Sequence, residues 1–125
     1  MKESKMDLIK YQLQAHSFAD YTQPIILDDE NKTALTVEYI YPVMGLAEEA
    51  GELVGKFAKA IRDCKGEVDD ERKREIIKEL GDCLWFVSEI ATLLNVSFEE
   101  VMQKNIDKLT SRRERGVIYG SGDNR

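Results

Sequence analysis

Two pairs of acids, Glu49 with Glu52 and Glu79 with Asp82, are each spaced three residues apart in otherwise strongly helical sequence. Residues at that spacing share a helix face, so each pair offers two carboxylates to one cation. Projected at about 3.6 residues per turn, the first segment places Val43, Leu46, Ala47, Ala50, Leu53, Val54, Phe57 and Ile61 on one apolar arc. Glu49, Glu52 and Lys56 run along the edge of that arc, and Glu48 lies further round. In the second segment Ile76, Leu80, Cys83, Phe86, Val87, Ile90, Ala91 and Leu94 form the arc, with Glu79 inside it and Asp82 at its border. An ionised carboxylate on a buried face costs several kcal/mol unless it is paired or coordinated. The pattern therefore predicts a positive partner at Glu79, most simply a divalent metal.

Four carboxylates converging from two packed helices repel one another, and a hard divalent cation relieves the repulsion. Oxygen-only ligation points to Mg²⁺, with Mn²⁺ as its substitute. The single histidine, His16, excludes a site built on several imidazoles and the Glu-x-x-His pairing of di-iron bundles. Further along, Asn105, Lys108 and Arg112 share a narrow stripe beside Met102, Ile106 and Leu109. With Lys56, they supply donors suited to phosphate oxygens, so the combination suits binding and cleavage of a polyphosphate.

Four helical segments must position these groups, and no alternating strand pattern competes with them. The first runs from about Ser4 to Tyr21 and is ended by Gln23-Pro24. Residues 25–33 read as a loop. The second covers about Leu35 to Asp63, with Pro42 either kinking it or marking its first turn. Gly66 is placed to cap it, and Asp69 or Asp70 opens a third helix reaching about Leu94. Ser97-Phe98-Glu99-Glu100 matches a capping box for a fourth, which extends to about Arg115 and stops at Gly116. The last nine residues, 117–125, carry two further glycines and no helical period, and are expected to be flexible or ordered by a partner.

The composition suits one compact domain or one protomer of an intertwined oligomer: 125 residues, 42% hydrophobic and 34% charged. A net charge of −6 provides no basic field for general attraction to nucleic acid or an anionic membrane. No signal peptide is read at the charged start, and no run is long enough to span a bilayer. Cys64 and Cys83 fit no zinc spacing, and Cys83 falls on the apolar arc, which suits a free thiol in a reducing cytoplasm.

The blocks Glu48-Glu49-Ala50-Gly51-Glu52 and Glu79-Leu80-Gly81-Asp82 resemble the EExxE and ExxD signature of the MazG-like nucleotide pyrophosphohydrolases, in the all-α NTP pyrophosphatase superfamily. The resemblance continues through Gly45–Leu53, Glu79–Trp85, Asn105–Leu109 with Arg112, and the ending Gly120–Arg125, covering roughly Gly45 to the C-terminus. It implies an all-α four-helix bundle intertwined in a homodimer or homotetramer, with residues 1–116 as the MazG-like domain and 117–125 as a glycine-rich tail. It also implies Mg²⁺-dependent cleavage of a nucleoside triphosphate between the α and β phosphates, giving a monophosphate and pyrophosphate. By motif position Glu49, Glu52, Glu79 and Asp82 would hold the metal, which activates water and offsets phosphate charge. Glu48 is left to assist a further metal or to orient the attacking water. Lys56, Asn105, Lys108 and Arg112 would hold the phosphates. One position departs from the pattern: some relatives carry a tyrosine four residues after the last acid, where this chain has Phe86.

Two rival readings remain open from sequence. One is a non-catalytic helical interaction module whose acids bind a structural cation. The other is a dUTP- or dCTP-specific member of the same superfamily, since pocket shape sets base choice. Trp85 projects away from its helix's apolar arc, towards either a subunit interface or a nucleobase. Phe18, Tyr21 and His16 are candidates for a base pocket, with core or interface packing as the simpler role for the two aromatics and solvent exposure for His16.

Overall fold

Capping side chains set the helix boundaries. The computed structural model describes residues 5–20 and 37–125, with side chains from residue 40 in the second stretch. The predicted loop at 25–33, Tyr21 and Gln23-Pro24 lie outside the described residues. Helix α1 spans Leu8–His16, because the Asp7 carboxylate accepts the Lys10 amide at 2.9 Å and so starts the first turn there. It is shorter than the predicted span, whose two ends also lie outside the described residues. At its C-terminus the Ser17 hydroxyl donates to the Gln14 carbonyl at 2.6 Å, satisfying a group the helix leaves open.

Helix α2 spans Val37–Cys64 and passes through Pro42, which lies inside the helix and is almost fully buried rather than forming its first turn. The chain leaves α2 through Lys65 and Gly66, at φ +54° and +85°. The Gly66 amide donates back to Ala60 at 3.0 Å, a closure that needs the left-handed backbone glycine adopts most readily. Helix α3, Asp70–Leu93, is capped by the Asp69 side chain on the Arg72 amide. Helix α4, Phe98–Glu114, is capped by the Ser97 hydroxyl on the Glu100 amide, as the capping box predicts, and ends before Gly116.

The short α2–α3 connection makes these two helices an antiparallel pair. In that register Gly45 meets Phe86, and Lys56 reaches Glu75 and Glu79. Helix α1 lies across α3. The Gln12 amide donates to Thr92 Oγ1 and to the Val96 carbonyl, and its oxygen accepts the Phe98 amide at 2.8 Å. One side chain thus ties α1 to both ends of the α3–α4 turn. Trp85 faces α1 as well: its indole donates to the Ala15 carbonyl at 3.0 Å, and its ring meets Phe86 edge-on. Its outward projection on α3 is therefore used inside the chain, as a contact between helices.

Ala15, Ala60, Ile76, Phe86, Ala91 and Phe98 form the buried apolar core. The predicted α2 arc is only partly covered, because among the described residues α2 packs against α3 alone. Val43, Val54, Phe57 and Ile61 remain exposed there, as do Leu80 and Leu94 on α3. Helix α4 touches α1 and α3 but not α2. The tail is not free: it folds back on α4. Arg115 donates to the Arg125 carbonyl at 2.8 Å, and Arg112 to the Asp123 carbonyl at 2.6 Å.

Candidate metal and phosphate site

The α2–α3 register brings three of the four predicted metal ligands together. Oxygens of Glu49, Glu79 and Asp82 all lie within 4.8 Å of one another. The approach of the two helices beside this cluster depends on Gly45, one turn before Glu49. A Cβ there would lie 2.2 Å from the Phe86 ring. Phe86, which stands where some relatives carry tyrosine, thus brings the tip of its ring against the α2 backbone at Gly45, with Tyr41 at a centroid distance of 6.0 Å.

Glu79 is only 7% exposed, as its place inside the apolar arc predicts. Lys56 supplies the positive partner, with Nζ 3.2 Å from Glu79 and 3.6 Å from Glu75. The hydrogen bond to Glu79 is the main reason the Lys56 ammonium is held above its ordinary pKa. On the other side of the cluster, desolvation first and then the charges of Asp82, Glu52, Glu79 and Glu48 push the Glu49 carboxyl up. Burial first, then the charges of Glu49, Asp82 and Glu79, raise the Cys83 thiol, which is free and on the α3 face beside them. The three carboxylates thus form a locally negative cluster whose only buried member is Glu79.

Glu52 and Glu48 are exposed and stand outside the trio. Glu52 is one turn from Glu49 on the same face of α2. Asn105 and Lys108 are exposed on α4, whereas Arg112 is 6% exposed and committed to the tail. The Asp123 side chain accepts from Arg112 at 2.9 Å and from Lys108 at 3.3 Å. Arg112 and then Lys108 hold its carboxyl below the usual aspartate range. The geometry therefore gathers Glu49, Glu79, Asp82 and Lys56 at one place, and sets Lys108 and Arg112 at another, around the tail.

Sequence reasoning passed over four participants. Glu75 lies one turn from Glu79 and shares Lys56, a contact that depends on the α2–α3 register. Asp123 meets Arg112 only because the tail reverses. Glu89 is fully buried on α3, and His16 Nδ1 sits 3.1 Å from it, so His16 is half exposed but anchored rather than simply solvated. Tyr11 on α1 has its hydroxyl pKa raised by burial, then by Asp82 and Glu89, which places α1 beside the acid-bearing face of α3. Phe18 is exposed, and Tyr21 lies outside the described residues.

The model of the MazG nucleotide pyrophosphohydrolase domain matches residues 41–117, a span containing all three clustered acids and Lys56. The chain belongs to the MazG family. Among curated proteins it is 47% identical over 85 residues to the Gene 37 protein of Mycobacterium phage L5, covering 68% of this chain and 75% of that protein. It is 38% identical over 78 residues to the uncharacterized protein YvdC of Bacillus subtilis strain 168, covering 55% of this chain and 70% of that one. No solved structure matches it. The all-α MazG architecture agrees with the four helices seen here, with no strand among the described residues.

The residues fit a divalent cation on chemical grounds. The donor set is hard oxygen from Glu49, Glu79 and Asp82, which suits a small hard ion rather than a soft one. A lysine ammonium already stands against Glu79, showing that this carboxylate takes a positive partner.

Proposed function

We propose that this protein is a Mg²⁺-dependent nucleoside triphosphate pyrophosphohydrolase that cleaves between the α and β phosphates and serves nucleotide-pool house-cleaning in the cytoplasm. The observation that carries this reading is the buried Glu79 with Glu49 and Asp82 inside a 4.8 Å circle, beside Lys56, in a MazG chain. Glu49, Glu79 and Asp82 would hold Mg²⁺, and Glu52, one turn along the same face, would complete the set by a side-chain rotation. Mn²⁺ would substitute. The bound cation would supply charge neutralisation at the phosphates and a more acidic water.

The chain's own residues then divide the work. A water oxygen bonds to the α-phosphorus, and the bridging oxygen leaves with the diphosphate, so the products are a nucleoside monophosphate and inorganic diphosphate. Glu48, exposed at the edge of the cluster, accepts the proton of the attacking water or positions it. Lys56 meets the charge that builds on the departing phosphates. Asn105, Lys108 and Arg112 stand on a helix that, among the described residues, does not pack against α2 in its own protomer. They would reach a phosphate chain across a homodimer or homotetramer, in which the exposed apolar residues of α2 and α4 are covered.

Product analysis tests the reading. The purified protein is incubated with ribo- and deoxyribonucleoside triphosphates, with Mg²⁺ or EDTA, alongside Glu79→Gln. Monophosphate and diphosphate in equal amounts, lost with EDTA and with the variant, is the expected result. A second reading, a non-catalytic interaction module, draws on one observation: Arg112, assigned above to the phosphates, is consumed by the protein's own tail. Cation binding without turnover of any nucleotide would decide for it.

A further inference from the structure

Beyond the acid cluster, the α2–α3 seam opens into a cleft of about 240 Å³ lined by Lys56, Lys59, Asp63, Arg72 and Glu75. The cleft is positive in a chain whose net charge is −6. Its two acids have partners outside the cleft, since Asp63 takes two hydrogen bonds from Arg62, at 2.6 and 2.8 Å, and Glu75 takes one from Lys78 at 2.6 Å; Glu75 also meets Lys56 within it, at 3.6 Å. Arg72 gives one guanidinium donor to Asp69. Lys59 makes no ion pair among the described residues.

Lys56 belongs to both places at once. It lines the cleft, and its ammonium stands on Glu79, one of the three clustered carboxylates. A divalent cation and an ammonium ion repel each other and compete for the same oxygens. Loading the cluster must therefore weaken the Lys56–Glu79 pair, and a flexible four-carbon stem lets the ammonium turn into the cleft. There it joins Lys59 and Arg72.

We infer that the cleft is a binding site for inorganic diphosphate, the leaving group, and that metal loading arms it by exchanging Lys56 from Glu79 to the anion. The site rests on the hydrolase reading for its biological use, but not for its existence. Diphosphate carries several negative oxygens in a short chain, which matches three cations on two facing helices. The same exchange couples the two ligands: metal promotes diphosphate binding, and by linkage diphosphate promotes metal binding.

Calorimetric titration with inorganic diphosphate, with Mg²⁺ or EDTA, tests this on the full chain. The unaltered protein should bind diphosphate in Mg²⁺ and lose most of that affinity in EDTA. A Lys59→Gln, Arg72→Gln double variant should bind it about tenfold more weakly, the loss expected for charged hydrogen bonds at a part-exposed site, with Mg²⁺ affinity unchanged. The α3 cap survives that change, because it uses the Arg72 backbone amide. Lys56→Met should tighten Mg²⁺ binding measured alone while weakening diphosphate. Unchanged diphosphate affinity in the double variant overturns the site, and weaker or equal Mg²⁺ binding by Lys56→Met overturns the exchange. Nothing is hydrolysed in this titration. Diphosphate binding as expected, with no nucleotide turned over, would count against the hydrolase reading alone.

Discussion

The α2–α3 pair and the α4–tail pair handle charge in opposite ways. Between α2 and α3, Glu49, Glu79 and Asp82 crowd like charges together, with Lys56 as the cation in direct contact. Between α4 and the tail, unlike charges meet: Asp123 sits on Arg112 and Lys108, and the C-terminal carbonyl accepts from Arg115. The first arrangement would gain free energy from a divalent cation; in the second, the Asp123 carboxylate already has its cations. The difference separates a cluster left with excess negative charge from a contact in which unlike charges hold the tail to α4.

Variants can break or sharpen this contrast. The largest expected effect is from Glu79→Gln, which removes the most buried carboxylate of the trio. Mg²⁺ affinity by calorimetry should fall by on the order of a hundredfold, at or above the cost of losing a residue that only supports a metal ligand. Next, Gly45→Ala should destabilise the protein by about 1–3 kcal/mol, the range for overpacking a tight contact, because its Cβ overlaps the Phe86 ring. Denaturant unfolding reads that directly. Glu52→Gln should cost Mg²⁺ affinity only several-fold, since Glu52 stands outside the trio; a loss equal to that of Glu79→Gln would erase the distinction between them.

The smallest effect belongs to the tail. The folded pKa of Asp123 is depressed, so its stabilising contribution is full above the ordinary aspartate value of 3.8 and is lost as pH falls through the lower folded value. The amide resonances of Gly120 and Gly122 should therefore hold their positions from neutral pH down to about that value and move below it. In Asp123→Asn that acid transition should be absent. A tail that loosens near neutral pH would show that Asp123 is not what holds it.

Much of this was legible in sequence for a local reason. Caps act within a turn, so Asp69, Gly66, Ser97 and Gly116 marked boundaries that the structure reproduces. Glu79's burial followed from its own helix projection. What depended on the placing of one helix against another was not legible. The projection set Lys56 on the rim of α2 but did not show that the α2–α3 register lays it across Glu75 and Glu79. Periodicity put Val54, Phe57 and Ile61 on one face without saying whether a neighbour covers it, and in this protomer none of the described helices does. The tail contact needed a chain reversal through Gly116 that no helical period encodes.

Gly45 deserves its place for more than tight packing. It and Phe86 meet one turn beyond the acids, so the hydrogen atom that serves as the Gly45 side chain fixes how closely the two carboxylate-bearing helices lie. Mg²⁺ is bound at about 2.0–2.1 Å and Ca²⁺ at about 2.3–2.6 Å, with more ligands and looser geometry. A methyl group at position 45 would wedge the helices apart beside the cluster and shift its preference from the smaller ion to the larger. If the cluster holds a cation, its bite, and with it the choice between two abundant ions, would be set by an atom that touches neither.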